Sequence, residues 1–168
     1  FPSVVLTQDW HTPGHSSFAS AHPDTSPYDT AEMPYGTQIL WPDHCVQGTH
    51  GAAFHNDLDT ASVELIVRKG FRPEIDSYSA FQENDRLTTT GLAGFLRERE
   101  IQHVYLCGLA FDFCVKWSAL DAAELGYTAT LVPDACRAID LDGSKAHAES
   151  EMSAAGVRQV TASDLLAS

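Results

Sequence analysis

The sequence predicts an α/β protein with a parallel sheet that carries helices on both faces. Short apolar runs of strand length alternate with amphipathic helical patterns through the second half of the chain. That alternation is typical of a parallel sheet covered by helices. Polar or reactive residues stand at or just past the ends of three predicted strands, at Asp9, Lys69 and Cys114. Because ligands bind beyond the carboxyl ends of such strands, we expect these three residues at a functional edge.

Composition restricts the possible functions. The 168 residues are 43% hydrophobic, which suits one globular domain with a substantial core. The net charge of −13 argues against nucleic acid as a partner, since phosphate contacts need clustered Lys and Arg, and equally against an anionic membrane surface. Four cysteines without a C-x-x-C pair predict a reducing compartment, the cytoplasm. A homo-oligomer stays an open alternative.

The first half of the chain predicts two strands joined by a long loop. Residues 1–7 form an apolar run that ends at Gln8 and Asp9. Residues 11–53 are rich in Pro, Gly, Ser, Thr and His and lack sustained periodicity, which predicts a structured, functional loop. Residues 62–67 form the second strand.

The second half predicts three helices and three strands. The periodicity of residues 90–100 places apolar side chains on one face of a helix. Glycines stand where the later helices should end, at Gly126 and Gly156. In chain order, the elements after this first helix are a strand at 103–108, a helix at 112–125, a strand from 127 that stops at Pro133 and Asp134, a helix at 145–155 and a strand at 157–161.

Cys114 is the candidate nucleophile because it stands where an apolar run gives way to a helical pattern. Unpaired N–H groups and the helix dipole stabilise a thiolate at a helix N-terminus. The same N–H groups can hold the oxyanion that forms when a thiolate attacks a carbonyl. Asp112, two positions earlier, is expected to cap the helix, with a general base as the alternative.

A carboxylate and two imidazoles form a candidate metal site. Asp9, His11 and His44 offer oxygen and nitrogen ligands suited to zinc, with iron or manganese as alternatives. His15 is a competing ligand. The alternative interpretation is that these are loop histidines with ordinary hydrogen bonds.

Three further residues have two interpretations each. Lys69 ends a strand and is either a solvated lysine or a cation that favours the thiolate of Cys114. Trp41 and Tyr78 are aromatic residues in predicted loops. They either line a pocket for a flat ligand or cover the small core of their own loop.

Six segments occur together in an order that resembles the nicotinamidases, also called pyrazinamidases, among the isochorismatase-like cysteine hydrolases. The resemblance covers nearly the whole chain, and the two metal-site segments distinguish nicotinamidases from relatives that act on other substrates. The segments are QDWH at 8–11, WPDHCV at 41–46, KG at 69–70, DSYSAF at 76–81, GLAFDFCV at 108–115 and LDAAELG at 120–126.

The resemblance implies an isochorismatase-like three-layer sandwich and a chemical mechanism. Cys114 would attack the carboxamide carbon of nicotinamide, and water would hydrolyse the thioester to nicotinic acid for NAD salvage. Lys69 would match the catalytic lysine, and the backbone N–H groups of Ala110 and Cys114 would hold the oxyanion. A cis peptide bond is implied between Leu109 and Ala110.

The resemblance also assigns the binding residues. Asp9, His11 and His44 would hold the divalent metal, whose open positions take waters and the pyridine nitrogen. Trp41 would stack on the pyridine ring with Tyr78 nearby. Pyrazinamide-like compounds would be related ligands.

One element of the family pattern is not found in residues 1–168. The family carries its third catalytic residue, an aspartate, on a strand that precedes the Asp-Trp-His segment. We therefore expect a single nicotinamidase-like domain at 1–168 that lacks its first strand, with the remainder of the polypeptide as a partner. The alternative functions are a related amidohydrolase that acts on another small amide and a non-catalytic fragment that binds metal or ligand.

Overall fold

The computed structural model describes residues 1–167 and divides into two compact units. The first unit comprises residues 1–77 and 83–90, and the second comprises residues 78–82 and the described chain from 91 onwards. No helix in this described part is long and apolar enough to span a bilayer.

The first unit is built on two parallel strands. Strand β1 (Val4–Asp9) pairs with β4 (Val63–Lys69), as the two apolar runs predict. The final residues of the two strands, Asp9 and Lys69, are direct partners in the register. Side chains at paired positions of a ladder lie on the same face, so this register brings a carboxylate and an ammonium together.

The long loop of the first unit contains a β-hairpin that the sequence analysis missed. Strands β2 (Thr30–Met33) and β3 (Gly36–Ile39) pair antiparallel, so the expectation that 11–53 holds no regular element is wrong. Each strand has four residues and most of its side chains are partly or fully exposed. Strands this short and polar leave little alternation to detect. Short 3₁₀ turns occupy Ala19–Ala21 and His50–Ala52.

The second unit confirms the α/β architecture. Three parallel strands lie in the order β5 (His103–Leu109), β6 (Thr128–Arg137) and β7 (Arg158–Gln159). Helix α2 buries Ala119 and Ala122, and the central strand buries Leu131 completely. The helices are α1 (Leu92–Glu98), α2 (Lys116–Glu124), α3 (Ser144–Ala154) and α4 (Ala162–Ala167).

Two expectations about the second unit are wrong. Strand β6 does not stop at Pro133 and Asp134 but continues to Arg137. The ladder with β5 is irregular between Leu106 and Gly108, so Pro133 falls where no regular hydrogen bond is required. The last strand is only two residues long, and the helix after it, α4, was not expected.

Strand β5 is an edge strand of the second unit. Within residues 1–167 it pairs only with β6. Its side chains alternate in exposure, and Tyr105 and Leu109 are 39% and 73% exposed.

Candidate active site

An ion pair with a buried lysine joins the ends of β1 and β4. Lys69 is 3% exposed, and its Nζ lies 2.7 Å from Asp9 Oδ1 and 3.2 Å from the carbonyl oxygen of Ser77. Burial alone would raise the pKa of Asp9, but the Lys69 charge and hydrogen bond outweigh burial and hold it below its usual value. Asp9 is therefore an ionised carboxylate at neutral pH. The solvated interpretation of Lys69 is wrong, because the lysine is buried and paired.

His11 is positioned by a backbone bridge to the loop that carries His44. The His11 N–H donates to the Cys45 carbonyl at 3.0 Å, and the Gln47 N–H donates to the His11 carbonyl at 2.9 Å. The rings of His11 and His44 consequently lie with centroids 4.6 Å apart. Gly70 packs directly against the His11 ring, since a Cβ at this position would lie 2.5 Å from the ring. Two predicted metal ligands thus share one neighbourhood.

Hydrogen bonds define which ring nitrogens carry a lone pair. His11 Nε2 donates to Asp76 Oδ1 at 3.2 Å, and His44 Nδ1 donates to the Pro42 carbonyl at 2.8 Å. These bonds leave lone pairs on His11 Nδ1 and His44 Nε2. His11 Nδ1 is buried without a hydrogen-bond partner in the described chain. A buried acceptor of this kind suits a divalent cation. Within residues 1–167, however, Asp9, His11 and His44 are not found as a set whose donor atoms lie within 4.8 Å of one another.

The potential ligands that the described residues do bring together are His11, His15 and Asp76. Among residues 1–167, the donor atoms of His11, His15 and Asp76 lie within 4.8 Å of one another. His15 Nδ1 accepts from the Ser17 N–H at 3.1 Å, and its Nε2 donates to the Arg72 carbonyl at 2.7 Å. Burial lowers the pKa of His15, so its ring is neutral. Both of its nitrogens are engaged, which disfavours His15 as a metal ligand.

Asp76 is the residue of this neighbourhood that sequence reasoning missed. It is 2% exposed and bonds to His11, yet the sequence pattern assigns it no role beyond its place in the DSYSAF segment. The available signal was a single acidic residue in the otherwise uncharged stretch 76–81. A buried acid needs partners from elsewhere in the chain, and a single sequence does not identify them.

Trp41 is a buried side chain held by the loop backbone. Its N–H donates to the Ser17 carbonyl at 2.8 Å, and its own carbonyl accepts from the Ala19 N–H at 2.9 Å. Its ring is 6% exposed overall and meets Tyr28 edge-on with centroids 6.1 Å apart. A rigid ring of this kind suits stacking, and the predicted stacking on a ligand stays a prediction.

Cys114 lies in a π-helical turn, Phe111–Val115, between β5 and α2. The expected helix after the strand is therefore present, and its first turn is wider than an α-helix. Ser118 Oγ donates to the Cys114 carbonyl at 2.7 Å and accepts the Ala80 N–H at 2.9 Å. The side chain of Cys114 is partly exposed, as a nucleophile requires. The peptide bond between Leu109 and Ala110 is cis, as the resemblance implied.

The structure distributes the predicted residues between the two units. The first unit contains Asp9, His11, Trp41, His44 and Lys69, and the second contains Tyr78, Ala110 and Cys114. The Tyr78 ring packs edge-on against Phe113, with centroids 5.8 Å apart.

Asp112 does not cap its own helix, so that expectation is wrong. The turn begins after Ala110, which is the N-cap residue and makes no side-chain cap. Asp112 lies inside the turn, where its carboxylate accepts hydrogen bonds from the Asp140 N–H at 2.7 Å and the Ile139 N–H at 3.1 Å. Ser144 Oγ donates to the same carboxylate. The aspartate thus ties the start of α3 to the turn that carries Cys114.

We expect Asp112→Asn to destabilise the fold by about 1–3 kcal/mol at pH 7, because hydrogen bonds to a charged acceptor are lost. Burial would raise the pKa of Asp112, but the Ser144 hydroxyl and the two N–H donors hold it below its usual value. A lowered folded pKa stabilises the fold above the unfolded pKa of about 3.9, and this stabilisation is lost as pH falls through the folded pKa.

Urea unfolding followed by circular dichroism at pH 7 and at decreasing acidic pH measures this effect. The difference between wild type and Asp112→Asn should shrink as pH falls below about 4. Asp142→Asn, a change at an exposed aspartate of the same loop, is the matched control. Equal stability of Asp112→Asn and wild type at pH 7 would contradict the assigned role.

Comparison with known proteins identifies one family and relatives that belong to it. Residues 4–164 match the family model described as the isochorismatase domain. A nicotinamidase of Acinetobacter baylyi is 53% identical over 99% of this chain and 78% of its own length. A nicotinamidase of Escherichia coli is 42% identical over 96% of this chain and 76% of its own length.

Solved structures agree with the sequence relatives. An Acinetobacter baumannii nicotinamidase/pyrazinamidase superposes with a TM-score of 0.96 at 53% identity, covering 98% of this chain and 80% of its own. PnC1 of L. infantum, solved in complex with nicotinate, gives 0.83 at 38% identity, covering 97% and 73%. A pyrazinamidase of Pyrococcus horikoshii in complex with zinc gives 0.72 at 34% identity, covering 95% and 75%.

Proposed function

Since this chain belongs to the isochorismatase family and, within it, to the nicotinamidases, we propose that it hydrolyses nicotinamide to nicotinic acid and ammonia. The observation that carries the proposal is the buried contact of Lys69 with Asp9 at the ends of two paired strands. A lysine at the end of a strand is rarely buried from water unless its charge is paired. Here its charge is paired with Asp9, which is one of the proposed metal ligands.

The proposed reaction is covalent catalysis by Cys114. The thiolate adds to the carboxamide carbon, the C–N bond of the tetrahedral intermediate breaks, and the NH₂ group leaves as ammonia with the proton that the thiol gave up, so that a thioester remains. Water then adds to the thioester carbon, which releases nicotinic acid and regenerates the thiol. Lys69 is proposed as the catalytic cation, and the backbone N–H groups of Ala110 and Cys114 as the oxyanion donors.

The proposed metal ligands are Asp9, His11 and His44. The unpartnered His11 Nδ1 and the tautomer of His44 support this set over one that contains His15. When bound, the metal would hold the pyridine nitrogen and so orient the substrate, with zinc favoured by the mixed nitrogen and oxygen ligands. Trp41 is proposed to stack on the pyridine ring of the substrate, with Tyr78 near the same ring. The product would feed NAD salvage in a reducing compartment, in keeping with four cysteines that form no disulfide among residues 1–167.

Ammonia release from nicotinamide, measured with and without a chelator and after readdition of zinc, tests this function. We expect release that the chelator reduces and zinc restores. Turnover of other small amides without turnover of nicotinamide would favour a related amidohydrolase. Binding of nicotinamide without turnover would favour the non-catalytic interpretation. Turnover that rises only when a segment with a strand ending in aspartate is added would support the expected domain organisation. Loss of a general base costs about 10²–10⁴ in rate.

A further inference from the structure

Asp76 is a buried carboxylate in the first unit for which neither the predicted ligand set nor the proposed chemistry has a role. It is 2% exposed, and its Oδ1 lies 3.2 Å from His11 Nε2. The contact joins the His11 imidazole through the nitrogen opposite to the unpartnered Nδ1. A carboxylate in this position fixes both the tautomer and the orientation of the ring.

The oxygens of Asp76 are already satisfied by protein donors. Oδ1 accepts the Ser77 N–H at 2.8 Å in addition to His11, and Oδ2 accepts Gln38 Nε2 at 3.0 Å. Gln38 is 1% exposed and accepts in turn from Asn84 Nδ2 at 3.2 Å. A carboxylate with three donors in place has little remaining capacity to bind a cation directly. The network therefore supports a role through His11 rather than as a metal ligand.

Packing restricts the His11 ring as tightly as the hydrogen bond does. Backbone at Gly70 lies against one side, where even a methyl group would lie 2.5 Å from the ring. The rings of His15 and Phe18 lie with centroids 4.8 Å and 5.3 Å from that of His11. Since the ring has little freedom to turn, the hydrogen bond to Asp76 determines which nitrogen is available.

We propose that Asp76, held by Gln38, is a positioning residue that keeps His11 in the Nε2–H tautomer and presents its Nδ1 lone pair to the metal. This inference rests on the proposed metal site and adds two residues to it. Outer partners of ligating histidines typically change metal affinity by about 10–100-fold when removed. Asp76 should therefore affect metal binding without contacting substrate.

Zinc affinity, measured by competition with a chromophoric chelator, is the first readout. We expect Asp76→Asn to weaken zinc binding by about 10-fold and Asp76→Ala by up to about 100-fold. Asp76→Asn retains the shape of the side chain, and circular dichroism verifies that each variant is folded. Glu74→Gln is the matched control, because it removes one negative charge from an exposed position two residues away. The control should bind zinc as wild type does.

The histidine tautomer is the second readout and needs no metal. Long-range ¹H–¹⁵N spectra of the metal-free protein, with His11 assigned from a His11→Gln variant, should show Nε2–H in wild type. Asp76→Ala should give a mixture of tautomers, whereas Glu74→Gln should not. Unchanged zinc affinity together with an unchanged tautomer in Asp76→Ala would overturn the inference.

Asp9→Ala distinguishes a positioning residue from a ligand. If Asp76→Ala abolishes zinc binding while Asp9→Ala retains it, Asp76 is itself a ligand and the inference is wrong. If wild type binds no zinc, the metal part of the proposed function fails. The tautomer spectra then decide alone: loss of Nε2–H in Asp76→Ala supports the positioning of His11, and its persistence refutes it.

Discussion

Cys114→Ala should abolish ammonia release from nicotinamide, with a loss in kcat on the order of 10⁴ or more. Removal of a covalent nucleophile leaves only the rate enhancement that binding and electrostatic stabilisation provide. The side chain is partly exposed, so its truncation leaves little cavity and should change stability only slightly. Initial rates of ammonia release at saturating nicotinamide, with zinc content measured on the same samples, check the prediction.

Cys107→Ala is the matched control for the nucleophile. Cys107 is an exposed free cysteine two residues before the end of β5, and its loss should leave turnover unchanged. A thiol-directed reagent should correspondingly inactivate the control protein and wild type at the same rate. Normal turnover by Cys114→Ala would show that the nucleophile assignment is wrong.

Lys69→Met should lower both kcat and stability. The change keeps the length of the side chain but leaves the Asp9 carboxylate without its 2.7 Å partner. Loss of one member of a buried ion pair costs about 3–5 kcal/mol, and the cost should fall towards the lower value because 28% of the Asp9 side chain is exposed. Removal of an electrostatic contribution to the transition state should reduce kcat by about 10²–10³.

Urea unfolding and steady-state kinetics on the same preparation separate the two effects of Lys69→Met. Lys145→Met is the control, since Lys145 pairs with Glu149 on the exposed face of α3 and should leave both quantities nearly unchanged. Lys69→Arg keeps the charge but not the compact ammonium, so it should recover stability more than kcat. Wild-type kcat in a folded Lys69→Met protein would exclude lysine from catalysis.

The sequence predicts the strands that carry the site because their signals are local. Apolar runs that end in a polar residue define β1 and β4, and parallel pairing then brings Asp9 and Lys69 into register. Cys114 is found in the same way, from the change of pattern after β5. The roles of the metal ligands and of the nucleophile stay predictions, since they need a bound ion or substrate to be tested.

The missed features depend on partners that are distant in the chain. Asp76 is stabilised by Gln38, 38 residues away, and Asp112 accepts from Asp140, 28 residues away. An acidic residue beside a helix start suggests a cap, but the π-helical turn begins after Ala110 and places Asp112 inside the turn, where its carboxylate accepts from Asp140. Local propensity carries no information on either contact.

The burial of Lys69 also affects how the folded protein responds to amine-directed reagents. Acylation requires a neutral amine that the reagent can reach, but Lys69 is 3% exposed and its Nζ lies 2.7 Å from Asp9 Oδ1. The side chain of Lys145, by contrast, is 49% exposed. Labelling of the native protein should therefore modify Lys145 and spare Lys69, and label on Lys69 would report that the ends of β1 and β4 have separated.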